Sequence, residues 1–269
     1  MFPLPPTTEV RPARQWRAGT DQAIDRALAD EAPVGILYDG RPHAVLMATP
    51  ADVEDLAVGF TLSERIATID QIAGVSIEVV AEGVQVDIRL TAGARASKAK
   101  ARARSMEGRS SCGLCGVQRL AAAVRPLEAL ADGPTISAGA IATAFAALED
   151  QQALGNLTRA AHAAGLASAD GTLVLVREDV GRHNALDKLI GAAARAGLGG
   201  PLCLVTSRCS YEMVEKAAVA GFPILAAISA PTALALRKAE ESNLTLIALA
   251  RADGFTVFSG ASEFKGREI

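Results

Sequence analysis

Apolar and polar residues follow two different rhythms along this chain, and the change falls in the basic stretch between Arg95 and Arg109. Before it, Val34-Gly35-Ile36-Leu37-Tyr38 and Ala44 to Thr49 flank Asp39-Gly40, a pattern that predicts a hairpin. Pro50 and Asp52 then open a helix that carries Val53, Leu56, Ala57, Phe60 and Ile66 on roughly one face. A second hairpin follows, Val75 to Val80 and Val84 to Leu90, turning at Glu82-Gly83. Residues 1–33 are Pro-rich and then mixed polar, which predicts little beyond a short pairing segment. Together, residues 1–108 read as a small α+β domain.

After the change, Ala-rich helices are expected at about 117–131 and 137–154. Strands at 172–177, 202–207, 223–228 and 244–249 then alternate with helices at 184–196, 211–220 and 232–241, with 255–258 as one more strand. Near-continuous apolar strands between helices predict a largely parallel sheet covered on both faces, spanning residues 109–269. In such a sheet ligands bind beyond the carboxyl ends of the strands, where helix N-termini offer free N–H groups. Those loops hold the polar chemistry: Glu178 to His183, Ser207 to Ser210, Ser229 to Thr232, and Arg251 to Gly254. Arg182 and Arg208 are candidates to clamp a phosphate or pyrophosphate bidentately. Asp179 or Glu178 could accept from guanine N1–H and its amino group. Asn184 with Asp187 three residues on resembles a capping arrangement.

Composition narrows the function classes. The chain has 269 residues, 27 Lys plus Arg against 30 Asp plus Glu, and a formal charge of −3. A near-neutral chain with 4% aromatic residues is neither a nucleic-acid coat nor a stacking platform for single strands. Mean hydropathy is +0.24, yet the longest uncharged run, Ala217 to Leu236, is broken by Gly221, Pro223 and Pro231, which argues for a buried strand over a membrane span. The first eight residues have neither a basic nor an apolar signal region, so a cytoplasmic location is expected. No phosphate-loop signature and no strand-linked G-x-G-x-x-G is present.

Near-neutrality is an average. Arg95, Lys98, Lys100, Arg102, Arg104 and Arg109 precede Cys112-Gly113-Leu114-Cys115, with Glu107 the one acid among them. That basic run lowers the thiol pKa and favours the thiolate. Zinc binding is weakly supported, because Cys203 and Cys209 lack ligand spacing and no His-x-Glu deaminase signature exists. A dithiol redox pair and a persulfide carrier are equally compatible with the spacing.

The strings Gly108-Arg109-Ser110-Ser111-Cys112-Gly113-Leu114-Cys115-Gly116, Glu178-Asp179-Val180-Gly181-Arg182-His183-Asn184-Ala185-Leu186-Asp187-Lys188, Ser207-Arg208-Cys209-Ser210-Tyr211-Glu212-Met213-Val214 and Ser229-Ala230-Pro231-Thr232 together closely resemble the FdhD family, the formate dehydrogenase accessory sulfurtransferases. The resemblance implies a cytidine-deaminase-like three-layer α/β/α domain without the deaminase zinc, a smaller N-terminal α+β domain, and a homodimer. It implies sulfur transfer from a cysteine desulfurase to the bis-molybdopterin guanine dinucleotide form of molybdenum cofactor, which the client formate dehydrogenase needs sulfurated. Cys112 would carry the persulfide and Cys115 assist. Leu249, Ala250, Arg251, Ala252, Asp253 and Gly254 match the family's cofactor-binding stretch, and His162, Asp179, Arg182, His183, Ser207 and Arg208 complete the expected cofactor contacts. A cofactor-binding chaperone without catalysis is the alternative. The chain departs from the family at Thr158-Arg159-Ala160-Ala161-His162, where a Gly-Gly or Gly-Ala step is usual, and at Cys209, where Ala is usual.

Overall fold

The computed structural model describes residues 3–94, 106–107, 124–251, 253–260 and 264–265. The expected cysteine loop, its basic run, the helix start at 117–123 and Ala252 lie outside them.

The N-terminal third is richer in strand than its composition predicts. Strands β1 (Thr8–Arg17) and β2 (Thr20–Ala29) form an antiparallel ribbon in full register, in place of the short pairing segment expected. Ala18 and Gly19 both take positive φ at its tip, the geometry of a tight hairpin turn. The expected hairpin β3 (Ala32–Tyr38) and β4 (Arg41–Ala48) turns at Asp39-Gly40, both again at positive φ. Strands β5 (Ile72–Val80) and β6 (Gly83–Leu90) pair through Val80 and Gly83, so the turn sits at Ala81-Glu82, one residue earlier than expected. With β7 (Met106–Glu107) on the edge of β4, the sheet order is β5-β6-β3-β4-β7. Helix α1 (Val53–Ser63) closes one face of it over Val34, Ile36, Val86 and Ile88.

The second half is a three-layer α/β/α arrangement. Strand β8 (Ile136–Ser137) pairs with β15 (Phe264–Lys265) and leads into α2 (Ala138–Asp150), whose Ser137 Oγ caps it by accepting from the Ala140 N–H at 3.1 Å. Then follow α3 (Ala153–Thr158), β9 (His162–Ala167), β10 (Leu173–Asp179), α4 (Arg182–Ala196), β11 (Leu202–Val205), α5 (Tyr211–Val219), β12 (Ile224–Ala227), α6 (Ala233–Glu241), β13 (Thr245–Arg251) and β14 (Gly254–Val257). Alternation along the strands divides the core. Cys203, Val205, Leu225 and Leu246 face α4, α5 and α6, whereas Leu202, Leu204, Ile224 and Ile247 face α2.

Three expectations are corrected here. The sheet order β10-β9-β11-β12-β13-β14 has β11–β12 and β12–β13 parallel but its other pairings antiparallel, so the sheet is mixed. The reversal comes from β9, a strand hidden in the sequence because His162-Ala163-Ala164-Gly165-Leu166-Ala167 lacks β-branched residues. Its small residues serve close packing: a Cβ on Gly165 would lie 3.1 Å from side-chain carbons of both Leu148 and Leu173. Second, residues 124–131 are not helical. Pro126 lacks an amide donor, and this segment bonds outward instead. Arg125 reaches Glu64 (Nη2 to Oε2, 3.0 Å) and Glu215 (Nε to Oε1, 2.7 Å), the Leu127 N–H reaches Glu241, and the Leu130 N–H reaches the Ser242 carbonyl. Third, Asn184 is not a cap: α4 starts at Arg182, and Asp187 is buried in its second turn.

The two halves meet along α1 and α4. A Cβ built on Gly59 would strike the Asp187 carbonyl oxygen, and one on Gly191 would strike that of Asp55, so the helices touch backbone to backbone. Beside this contact Lys216 Nζ lies 2.9 Å from both Asp187 carboxylate oxygens and from Ser63 Oγ. Burial alone would lower the Lys216 pKa, but the carboxylates of Asp187 and Glu64 outweigh it and raise it. Because backbone lies on both sides of the crossing, Gly191→Ala is expected to lower stability by about 2 kcal/mol or more, offset in part by better helix propensity. The urea midpoint checks this, and a variant as stable as the parent refutes the close approach.

Candidate functional site

Antiparallel β9 puts its first residue, His162, at the same edge of the sheet as the last residues of β11, β12 and β13. The Thr206 N–H donates to the Ala163 carbonyl at 3.0 Å, and the Ala163 N–H donates to Thr206 Oγ1 at 2.8 Å. Asp179, the last residue of β10, pairs opposite His162, and α4 opens three residues later with Arg182 and His183. One edge therefore gathers His162, Asp179, Arg182, His183, Ser207, Arg208 and the segment from Leu249 to Gly254. From β10 to β13 this edge spans four strand spacings, roughly 19 Å.

Within that edge the residues do different work. Asp179 has 0% of its side chain exposed and pairs with Lys188 Nζ at 2.7 Å, Lys188 being equally buried. Its remaining lone pairs accept from the N–H of Thr49 (3.0 Å), the N–H of Gly181 (2.7 Å) and Asn184 Nδ2 (3.0 Å). No oxygen of Asp179 is left exposed to a ligand; it fixes the turn into α4. Glu178 is likewise engaged, accepting from the N–H groups of Leu154 (2.9 Å) and Gly155 (2.7 Å) at the start of α3. Asn184 Nδ2 also donates to the Met47 carbonyl, tying α4 to strand β4.

Arg182 and His183 are half-buried in the first turn of α4. His183 Nε2 stands 3.2 Å from Glu212 Oε2, whose carboxylate also accepts from Ser210 Oγ. Burial and the nearby Arg182 charge lower the His162 pKa against smaller raising effects from Thr206 and Asp179. Ser207 is buried and donates to the Arg208 carbonyl, whereas Arg208 is exposed.

Toward the other end of the edge, β13 contains a bulge between Ala248 and Arg251, and Leu249 sits there at φ +56°, 42% exposed. Arg251 Nη1 donates to the carbonyls of Ile228 and Ala250. Below this bulge a cavity of about 960 Å³ opens between α2 and the β13–β14 turn. Ala250, Arg251, Asp253 and Gly254 line it, while Asp179, Arg182, His183 and Arg208 are not on its wall. Thr206 is on the wall, so the cavity runs up to the hydrogen-bonded partner of the residue after His162. Phe145, Glu149 and Arg159, none of them among the expected site residues, also form its wall. The spacing Gly139, Ala142, Ala146, with Phe145 and Glu149 beside them, was a readable signal: small residues at helical intervals leave room on one face of α2.

The cysteines divide cleanly. Cys203 and Cys209 are 0% exposed, and burial pushes the Cys209 thiol up to about 12 and that of Cys203 higher still. Neither is a thiolate near neutral pH. Cys112 and Cys115 lie outside the described residues.

Two measurements probe these assignments. Asp179→Ala strands the buried Lys188 ammonium, and is expected to cost about 3–5 kcal/mol in urea unfolding; a loss below about 1 kcal/mol contradicts the structural role. For His162 the folded pKa lies below that of the unfolded chain. The unfolded state thus takes the proton first, and stability declines as pH falls from about 7 to 5. His162→Gln should flatten that part of the profile, and an unchanged slope speaks against the shift.

Against known proteins, the model of the FdhD/NarQ family matches residues 29–265. The chain is similar to a protein of Xanthomonas campestris pv. campestris named sulfur carrier protein FdhD, at 46% identity over 96% of this chain and 92% of that one. Proteins of the same name from Agrobacterium fabrum and Bordetella bronchiseptica are 45% and 44% identical, each over at least 90% of both chains. In fold it is similar to the crystal structure of a protein from Desulfotalea psychrophila described as a formate dehydrogenase accessory protein, with a TM-score of 0.73 and 24% identity, covering 97% of this chain and 100% of that one. A family match over most of the residues, carried by relatives at this level of identity, leads to one conclusion: the chain belongs to the FdhD/NarQ family.

Proposed function

We propose that this protein is a sulfur carrier that receives persulfide sulfur from a cysteine desulfurase and passes it to the bis-molybdopterin guanine dinucleotide cofactor destined for formate dehydrogenase. The observation that carries the reading is the near full-length similarity to proteins named sulfur carrier. Two features of the chain support it. Among its four cysteines, the two described ones are buried with raised pKa, which leaves Cys112 and Cys115, placed after the basic run, for nucleophilic work. The polar sheet edge and its cavity offer a nucleotide-sized space lined by apolar and cationic groups.

In chemical terms the Cys112 thiolate attacks the terminal sulfur of the desulfurase persulfide. A new S–S bond forms at Cys112, and the desulfurase cysteine leaves as a thiolate. At delivery Cys115 attacks the Cys112 sulfur, the outer sulfur leaves as sulfide to the acceptor, and the Cys112–Cys115 disulfide that remains is reduced by a cellular thiol. The protein works in the cytoplasm, as a homodimer, and the cofactor is an acceptor substrate held along the sheet edge, with Ser207, Arg208, Arg182 and His183 toward one end and the stretch from Leu249 to Gly254 toward the other.

Incubation with a cysteine desulfurase and isotope-labelled cysteine, followed by digestion and mass spectrometry, is expected to place labelled sulfur on Cys112. Cys112→Ala with Cys115→Ala should abolish both the label and activation of formate dehydrogenase. Label that persists in the double variant removes the carrier reading, and activation that persists favours a cofactor-binding chaperone.

A further inference from the structure

Of the residues bordering the cavity, Arg159 combines an unfavourable backbone with an uncommitted charge. It ends α3 at φ +61° and ψ +20°, the left-handed region, with its N–H donating to the Gly155 carbonyl. A glycine meets that geometry at a helix end without strain, whereas any side chain there costs on the order of 1 kcal/mol. Arg159 is one of the residues on the cavity wall. The residue is exposed, and among the described residues its side chain makes no hydrogen bond or ion pair. The wall's other arginine, Arg251, already uses one guanidinium nitrogen on the carbonyls of Ile228 and Ala250. Phe145 and Phe255 supply flat apolar surface in the same space, and Glu149 supplies a carboxylate. A strained residue that presents a free fork donor beside aromatic walls fits a ligand with a planar ring system and a phosphorylated tail.

We infer that Arg159 is a phosphate-contacting residue of this cavity, binding the diphosphate of a purine nucleotide whose base lies against Phe145 and Phe255. Glu149 is the acceptor on that wall for base N–H groups. The inference rests on the proposed guanine-dinucleotide acceptor for the identity of the base. It goes further by placing one phosphate contact on a residue outside the stretch from Leu249 to Gly254.

Calorimetric titration of the whole protein with guanosine 5′-diphosphate and with guanosine tests it, in the parent and in Arg159→Gly and Arg159→Lys. Loss of one charge-assisted contact should weaken diphosphate binding of Arg159→Gly by about 10-fold to 100-fold. Guanosine affinity should stay the same, and the melting temperature should hold or rise because glycine relieves the left-handed strain. Arg159→Lys should fall between the two. Diphosphate affinity unchanged in Arg159→Gly overturns the role of Arg159 alone. Equal losses of diphosphate and guanosine, or a lowered melting temperature, also overturn it, by making the residue structural. A parent protein that binds neither compound overturns both Arg159 and the cavity as the acceptor site, while label on Cys112 still decides sulfur carriage separately.

Discussion

The start of α4 at the polar edge depends on one close approach: the crossing of α1 and α4, where Gly59 and Gly191 let two helix backbones touch. That contact fixes α4 against α1, and α4 begins with Arg182 and His183. Charge reinforces it from within. Lys216, Asp187, Ser63 and Glu64 form one buried network on one side of the crossing, and Arg125 extends it to Glu215. Lys188 and Asp179 make a second, fully buried pair that also grips Thr49 in the turn before α1. Such pairs contribute little net stability over apolar packing, but they tolerate few alternative arrangements once both charges are buried. The two halves are thus held in one relation by groups whose misplacement would leave an unpaired charge.

Much of the architecture was legible in residue patterns. The β3–β4 hairpin was visible in Asp39-Gly40, and the alternation of apolar strands with helices from residue 202 to 257 follows the sequence closely. What escaped had a physical reason in each case. Strand β9 is built from Ala and Gly because it is buried between neighbours on both sides, so propensity pointed away from it. The β1–β2 ribbon has polar residues on both faces, which hides the period-2 signal that marks a half-buried strand. Residues 124–131 look helical by composition but spend their backbone groups on distant partners.

The candidate site was legible by position more than by role. Ala250, Arg251, Asp253 and Gly254, expected in a loop beyond a strand end, line a cavity. Charge type alone could not separate a ligand contact from a strut: Asp179 and Glu178 lie in the densest polar loop and are both consumed by backbone amides, with Lys188 added for Asp179. Lys188 and Lys216 were invisible as interior residues, since a lysine is ordinarily a surface residue and only its partners reveal otherwise. Arg159 marks a departure in sequence, and its left-handed backbone angle gives that departure a physical meaning.

The Glu178 carboxylate has a consequence for the far side of the site. Helix α3 is only six residues long, too short to persist by itself, because nucleation outweighs so few helical bonds. Its leading amides are held by Glu178 from strand β10, and its trailing residue is Arg159. The helix therefore behaves as a short rigid lever with its fulcrum on the sheet. A carboxylate on the sheet thus fixes where Arg159 emerges at the cavity wall.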